Sequence, residues 1–183
     1  MTEHPILFSS KMVKAILDGR KTQTRRVIPN RSLAWGAQFD DPLGFAHAAV
    51  AYCPYGQVGG RLWVRETFCS CHEPPTQEEG VCYKTNLREQ PAADFCEDKG
   101  KDKQIRWRPS IFMPRWASRI LLEITEVRVQ KAKDITLEDA IAEGFGDSPS
   151  PIDEFNKVFL RLNPHLKDVL VWVWAISFKR VGC

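Results

Sequence analysis

The chain has 183 residues, 43% hydrophobic and 27% charged, which suits one globular domain with a sizeable core and excludes a disordered or fibrous chain. A formal net charge of +3 falls short of the imbalance typical of a dedicated non-specific nucleic-acid binder. The longest apolar run, residues 169–178, is about half the ~20 residues a membrane-spanning helix needs, and residues 1–5 are polar rather than leader-like. The expectation is a cytoplasmic protein without a membrane partner, in which cysteines 53, 69, 71, 82, 96 and 183 are reduced.

In chain order, Ile6-Leu7-Phe8 reads as a short strand. Ser9 or Ser10 then caps a helix over 11–18 with Met12, Val13, Ile16 and Leu17 on one face, and Gly19 ends it. Residues 21–28 are extended, because Thr22, Thr24 and Val27 favour strand and Pro29 stops it. Residues 31–60, rich in Gly, Pro and Asp, read as a long loop. Residues 61–68 alternate, placing Leu62, Val64, Glu66 and Phe68 on one face, so that a glutamate shares an otherwise apolar side. Residues 69 to about 106 hold most of the cysteines and many acids, and read as a polar insertion in a single domain spanning 1–183. A strand over 120–129 loses its alternation near Thr125, which predicts a bulge. Thr136 caps a short helix with Asp139 as its capping-box partner and Gly144 closing it; Ser150-Pro151 opens a second helix. Residues 169–178 form the closing strand. Strands with intervening helices but no regular βαβ alternation predict an α+β fold, its sheet strongly bent toward a small barrel.

Residues 17–26, Leu-Asp-Gly-Arg-Lys-Thr-Gln-Thr-Arg-Arg, concentrate the chemistry. Arg20, Lys21, Arg25 and Arg26 stand with the hydroxyls of Thr22 and Thr24. Such a segment either holds a polyanion or, with Lys21 desolvated, activates Thr24; the plain reading is a solvated turn entering an edge strand. A regular strand would put Lys21 and Thr24 on opposite faces, so their cooperation requires Lys21 to belong to the turn. Glu143, ending the helix capped by Thr136, faces the negative end of a helix dipole, which is unfavourable unless a cation answers it. Glu66 is a further carboxylate candidate for a ligand, or else a buried partner of Arg25 or Arg119. Arg65 stands beside Glu66. Arg115-Trp116 offers a guanidinium and an indole for stacking on unpaired bases, or Trp116 packs inward as Trp63, Trp172 and Trp174 do. Cys69, Cys71, Cys82 and Cys96 supply enough soft ligands for zinc, without the paired Cys-x-x-Cys spacing that marks it; free thiols are the plainer reading. No cofactor is implied.

Four motifs in order resemble the ASCH-domain family: Ile16-Leu-Asp-Gly-Arg-Lys-Thr-Gln-Thr-Arg25, Gly59-Gly-Arg-Leu-Trp-Val-Arg-Glu-Thr-Phe68, Ile124-Thr-Glu-Val-Arg128 and the segment 134–145. Cys53-Pro-Tyr-Gly56, residues 107–119 and Trp-Val-Trp-Ala-Ile-Ser-Phe178 are similar to the phage- and prophage-borne branch. The resemblance implies a PUA-like β-barrel with short flanking helices and a cleft for RNA, a nucleobase or a modified nucleoside. It further implies, from one bacterial branch, an amidohydrolase of N4-acetylcytidine in which Lys21, Thr24 and Glu143 take the roles of lysine base, threonine nucleophile and assisting glutamate. Arg20, Arg25, Arg26, Arg65, Glu66, Arg115 and Trp116 are then the candidate ligand contacts. A non-catalytic RNA- or DNA-binding module and a phage assembly or interaction protein stand as alternatives.

Overall fold

The computed structural model describes residues 2–29, 42–70, 81–85 and 107–181. A mixed sheet runs β1 (Glu3–Leu7), β3 (Arg61–Arg65), β6 (Leu121–Lys131), β7 (Trp172–Val181) and β2 (Gln23–Val27) in spatial order, with β1 and β3 parallel and the other pairs antiparallel. Among the described residues, four α-helices flank it: α1 (Ser10–Leu17), α2 (Pro42–Ala51), α3 (Leu137–Ala142) and α4 (Pro151–Leu162). The α+β expectation is met. Among the described residues, pairing ends at β1 and β2, so ladder hydrogen bonds do not close a barrel; Arg26 Nη2, donating to Leu7 O at 2.6 Å, links the two edges instead.

The sheet separates two apolar clusters. One contains Ile6, Val13, Leu62, Val64, Leu122, Ile124 and Ile176; the other contains Phe145, Phe155, Phe159, Val173 and Ile135. Val173 serves the second and Trp174 the first, which is why β7 reads as a continuous apolar run: it is covered on both faces. In α4 the spacing of Phe155 and Phe159 buries one stripe, each ring contributing about 1.5–3 kcal/mol.

Thr125 drops out of the β6–β7 register between Ile124 and Glu126, the predicted bulge. The 31–60 stretch is not all loop. Residues 42–51 form α2, because its alanine-rich sequence has high helix propensity and buries Phe45 and Ala49 one turn apart. Phe45 meets Trp172 edge-on at 5.2 Å, and Trp174 Nε1 donates to Ala49 O at 2.8 Å. The closing strand begins at Trp172, three residues later than its apolar run. Of the 69–106 stretch, β5 (Val81–Tyr83) pairs with β4 (Phe68–Ser70) in a separate two-stranded sheet, setting Cys69 opposite Cys82. Cys71, Cys96 and most of that stretch lie outside the described residues, and among those described no group of three potential ligands could hold a metal ion. No described helix is long and apolar enough to cross a membrane.

Candidate functional site

The site is built where the α1 turn meets the end of α3. Gly19, at φ 75°, closes α1, and the amides of Arg20 and Lys21 both return to Ala15 O at 2.9 and 3.0 Å. Lys21 therefore belongs to the turn, and β2 begins at Gln23. A backbone bridge joins Lys21 to Glu143, and the Thr22 amide donates to Ala142 O at 2.8 Å. Gly144, at φ 94°, permits this approach: a Cβ there would lie 3.3 Å from the Cβ atoms of both Ala15 and Lys21.

Lys21 is 3% exposed and uses all three of its protons. Its Nζ donates to Gln23 O at 2.7 Å, Glu143 O at 2.9 Å and Glu143 Oε2 at 2.6 Å. The other Glu143 oxygen accepts from Arg25 Nη1 at 3.2 Å. Glu143 is the C-cap of α3 rather than its last helical residue, and the unfavourable dipole is answered by these two cations. Arg25 is locked further: Nη1 donates to Gln23 Oε1 at 2.6 Å and Nη2 to Asp139 Oδ2 at 2.6 Å. Asp139 also accepts from Arg128 Nη2 at 2.9 Å and Gln23 Nε2 at 3.2 Å. Read from sequence as the capping-box partner of Thr136, Asp139 gives that cap only its amide, which donates to Thr136 Oγ1 at 3.2 Å, while its carboxylate is spent on Arg25, Arg128 and Gln23. Its second role depends on strands distant in sequence, as do those of Gln23 and Arg128.

Burial lowers the Lys21 pKa from its usual value; the Glu143 carboxylate opposes that, while Arg26 and Arg25 add to it. For Asp139, burial works against the charge, yet the Arg128 hydrogen bond, the Arg25 charge and Gln23 hold its pKa below the ordinary carboxylate value. Lys21, Arg25 and Arg26 thus face two carboxylates, Glu143 and Asp139, and the local balance is positive.

Lys21, Thr24 and Glu143 line one cavity of about 370 Å³, together with the polar Arg25, Arg26, Ser9, Thr67 and Ser110 and the apolar Phe145, Phe155, Val158, Phe159 and Leu162. It sits at the seam between the two cores, beside edge strand β2. Thr24 is 5% exposed, and its hydroxyl makes no hydrogen bond to another described residue. No hydrogen bond joins Lys21 to Thr24, because carbonyls and a carboxylate take the lysine's protons.

The other candidate ligand contacts divide. Arg26 lines the cavity. Arg25 lines it too, but its guanidinium is spent on Asp139 and Glu143 rather than offered to a phosphate. Arg20, Arg65, Glu66, Arg115 and Trp116 are not among the lining residues. Arg20 pairs at the surface with Asp18 and Asp147, both at 3.0 Å. Arg115 Nε donates to Glu3 Oε2 at 2.7 Å. Arg65 lies over the Trp63 ring and donates through Nη2 to Ile111 O. Glu66, 1% exposed, accepts from Arg119 Nε at 2.9 Å, Arg119 Nη2 at 3.2 Å and Thr85 Oγ1 at 2.8 Å; this is the buried ion pair anticipated with Arg119. Trp116 packs against Phe68, Met113 and Ala117. Each of these five side chains is thus engaged within the protein, with an acid, an arginine, a carbonyl or an apolar neighbour.

No protein-family model matches the chain, and no curated protein matches it. Two solved structures are similar in fold. An ASCH domain from Lactobacillus crispatus JV V101 superposes with a TM-score of 0.49 at 15% identity, over 100% of this chain and 81% of that one. A DUF984 protein from Enterococcus faecalis V583 superposes with a TM-score of 0.47 at 11% identity, again over 100% and 81%.

Proposed function

We propose that this chain is an ASCH-type nucleobase- and RNA-binding protein whose cavity hydrolyses an N4-acylated cytidine-type amide with Lys21, Thr24 and Glu143. One observation carries the reading: a buried Lys21–Glu143 pair at 2.6 Å shares a cavity wall with a threonine whose hydroxyl has no partner among the described residues. In the reaction, Thr24 Oγ1 attacks the acyl carbonyl and its proton passes to the neutral amine of Lys21. The carbonyl–nitrogen bond breaks, the proton moves on to the departing amino group of cytosine, and water then cleaves the acyl-threonine ester. Glu143 orients Lys21, since both its oxygens are engaged by cations. Burial and the neighbouring arginines favour the neutral lysine that the first step needs. The apolar wall of Phe145, Phe155 and Phe159 accommodates the base or the acyl group.

A second reading, a pocket that binds without cutting, draws on the three hydrogen bonds that hold Lys21 as an ammonium. Incubation with a panel of N4-acylated cytosine nucleosides, followed for release of the free amine, separates the two. Thr24→Val is expected to abolish turnover while remaining within about 1 kcal/mol of wild-type stability, because the hydroxyl it removes makes no hydrogen bond to a described residue. Retained turnover in Thr24→Val removes the nucleophile from the scheme; ligand binding without turnover by the wild type establishes the second reading.

A further inference from the structure

The cavity wall carries polar groups that the amide chemistry does not use. β1 and β3 run parallel with Leu7 opposite Arg65, and just past their C-terminal ends stand Ser9 and Thr67, both on the cavity wall. Ser110 joins them; the carbonyl of its neighbour, Ile111, accepts from Arg65. Arg26 reaches the same corner. Its Nη2 donates to Leu7 O at 2.6 Å, and its guanidinium lies 5.2 Å from the Phe8 ring centroid and 5.9 Å from that of Tyr55.

Arg26 differs from Lys21 and Arg25 in its counter-charge. Those two are matched to Glu143 and Asp139, whereas Arg26 has no carboxylate within salt-bridge distance among the described residues. Its Nε is fully buried without a hydrogen-bond partner, and its Nη1 has no partner among the described residues. A largely buried cation without an ion-pair partner is costly unless a ligand supplies the charge. The hydroxyls of Ser9, Thr67 and Ser110 likewise make no hydrogen bond to a described residue, and Ser9, although in the N-cap position of α1, does not cap it. The corner thus offers a guanidinium, three hydroxyl donors and the positive end of an eight-residue helix, while Glu143, the acid on the cavity wall, is already held by Lys21 and Arg25.

We infer that this corner is a phosphate subsite, and that the ligand of the cavity is a nucleotide carrying a terminal phosphate rather than a free nucleoside. Phosphate fits better than a carboxylate because its several acceptor oxygens match a fork and three hydroxyls at once. The inference rests on the nucleobase reading of the same cavity, with the base end at Lys21 and Thr24 and the phosphate end at Arg26.

The test is calorimetric titration with cytidine 5′-monophosphate and with cytidine, which requires no turnover. The monophosphate is expected to bind about 10- to 100-fold more tightly, and inorganic phosphate to compete with it. In Arg26→Gln that preference should collapse, Arg26→Lys should restore part of it, and Ser110→Ala should reduce it by several-fold. Equal affinity for the two ligands, or an unchanged preference in a folded Arg26→Gln protein, overturns the subsite. Monophosphate preference without deacylation of any acylated nucleoside or nucleotide would leave the subsite standing and remove the hydrolase; deacylation with no phosphate preference would do the reverse.

Discussion

Replacing Lys21 with methionine tests whether the lysine is held as a buried, paired charge. Lys21→Met keeps most of the side-chain volume and strands three acceptors: Gln23 O, Glu143 O and Glu143 Oε2. An unsatisfied buried polar group costs about 1–3 kcal/mol, and losing one partner of a buried pair about 3–5 kcal/mol. Two features keep the sum from growing further: Arg25 still holds Glu143 Oε1 at 3.2 Å, and Lys21 and Glu143 lie on a cavity wall rather than in solid core. The expected loss is therefore about 3–5 kcal/mol, a large share of the roughly 5–15 kcal/mol that holds a domain folded. In urea, at about 2 kcal/mol per molar, the midpoint should fall by about 1.5–2.5 M, read by tryptophan fluorescence. Glu143→Leu should cost a similar amount, because it leaves an ammonium buried beside two arginines. The double variant should lose at least about 2 kcal/mol less than the two singles added together. A Lys21→Met protein within about 1 kcal/mol of wild type, or singles that simply add, would refute the buried pair.

Three more outcomes follow from the same geometry. Unfolded Lys21 keeps its proton up to about 10.5, while burial makes the folded protein release it earlier, so wild-type stability should rise relative to Lys21→Met as pH climbs toward 10.5; urea midpoints from pH 8 to 10.5 check the sign, and a falling difference contradicts it. Asp139, held below its ordinary 3.8, contributes stability that is present above that value and lost as pH falls through its lower folded pKa. Asp139→Asn should accordingly cost about 2–3 kcal/mol at neutral pH, from the weakened Arg25 and Arg128 bonds, with the gap to wild type narrowing below about pH 3.8 in acid titration. Gly144→Ala should cost about 2 kcal/mol in thermal or urea unfolding, from the φ of 94° and the 3.3 Å approach to Lys21; a neutral effect would mean that α3 can retreat from the turn.

Local signals carried well because their physics is local. The glycine at 19, the apolar spacing of α1, the Thr136 cap and the slipped alternation at Thr125 each act within a few residues, and each appears where the sequence places it. The α2 helix was hidden because Gly, Pro and Asp around it suggest loop, while its stabilising contacts, Trp172 and Trp174, lie more than a hundred residues on.

By itself the sequence determined the α+β class, most element positions and the residues worth watching in 17–26 and at 143, since periodicity, caps and charge clusters are written in order along the chain. Only the tertiary structure decided which charges meet. Arg25 and Arg26 are adjacent and chemically identical in the sequence. Alternation along β2 sends one guanidinium to Asp139 and Glu143 and leaves the other on the cavity wall with no carboxylate at salt-bridge distance among the described residues, because ion pairing depends on ångström distances between segments more than a hundred residues apart.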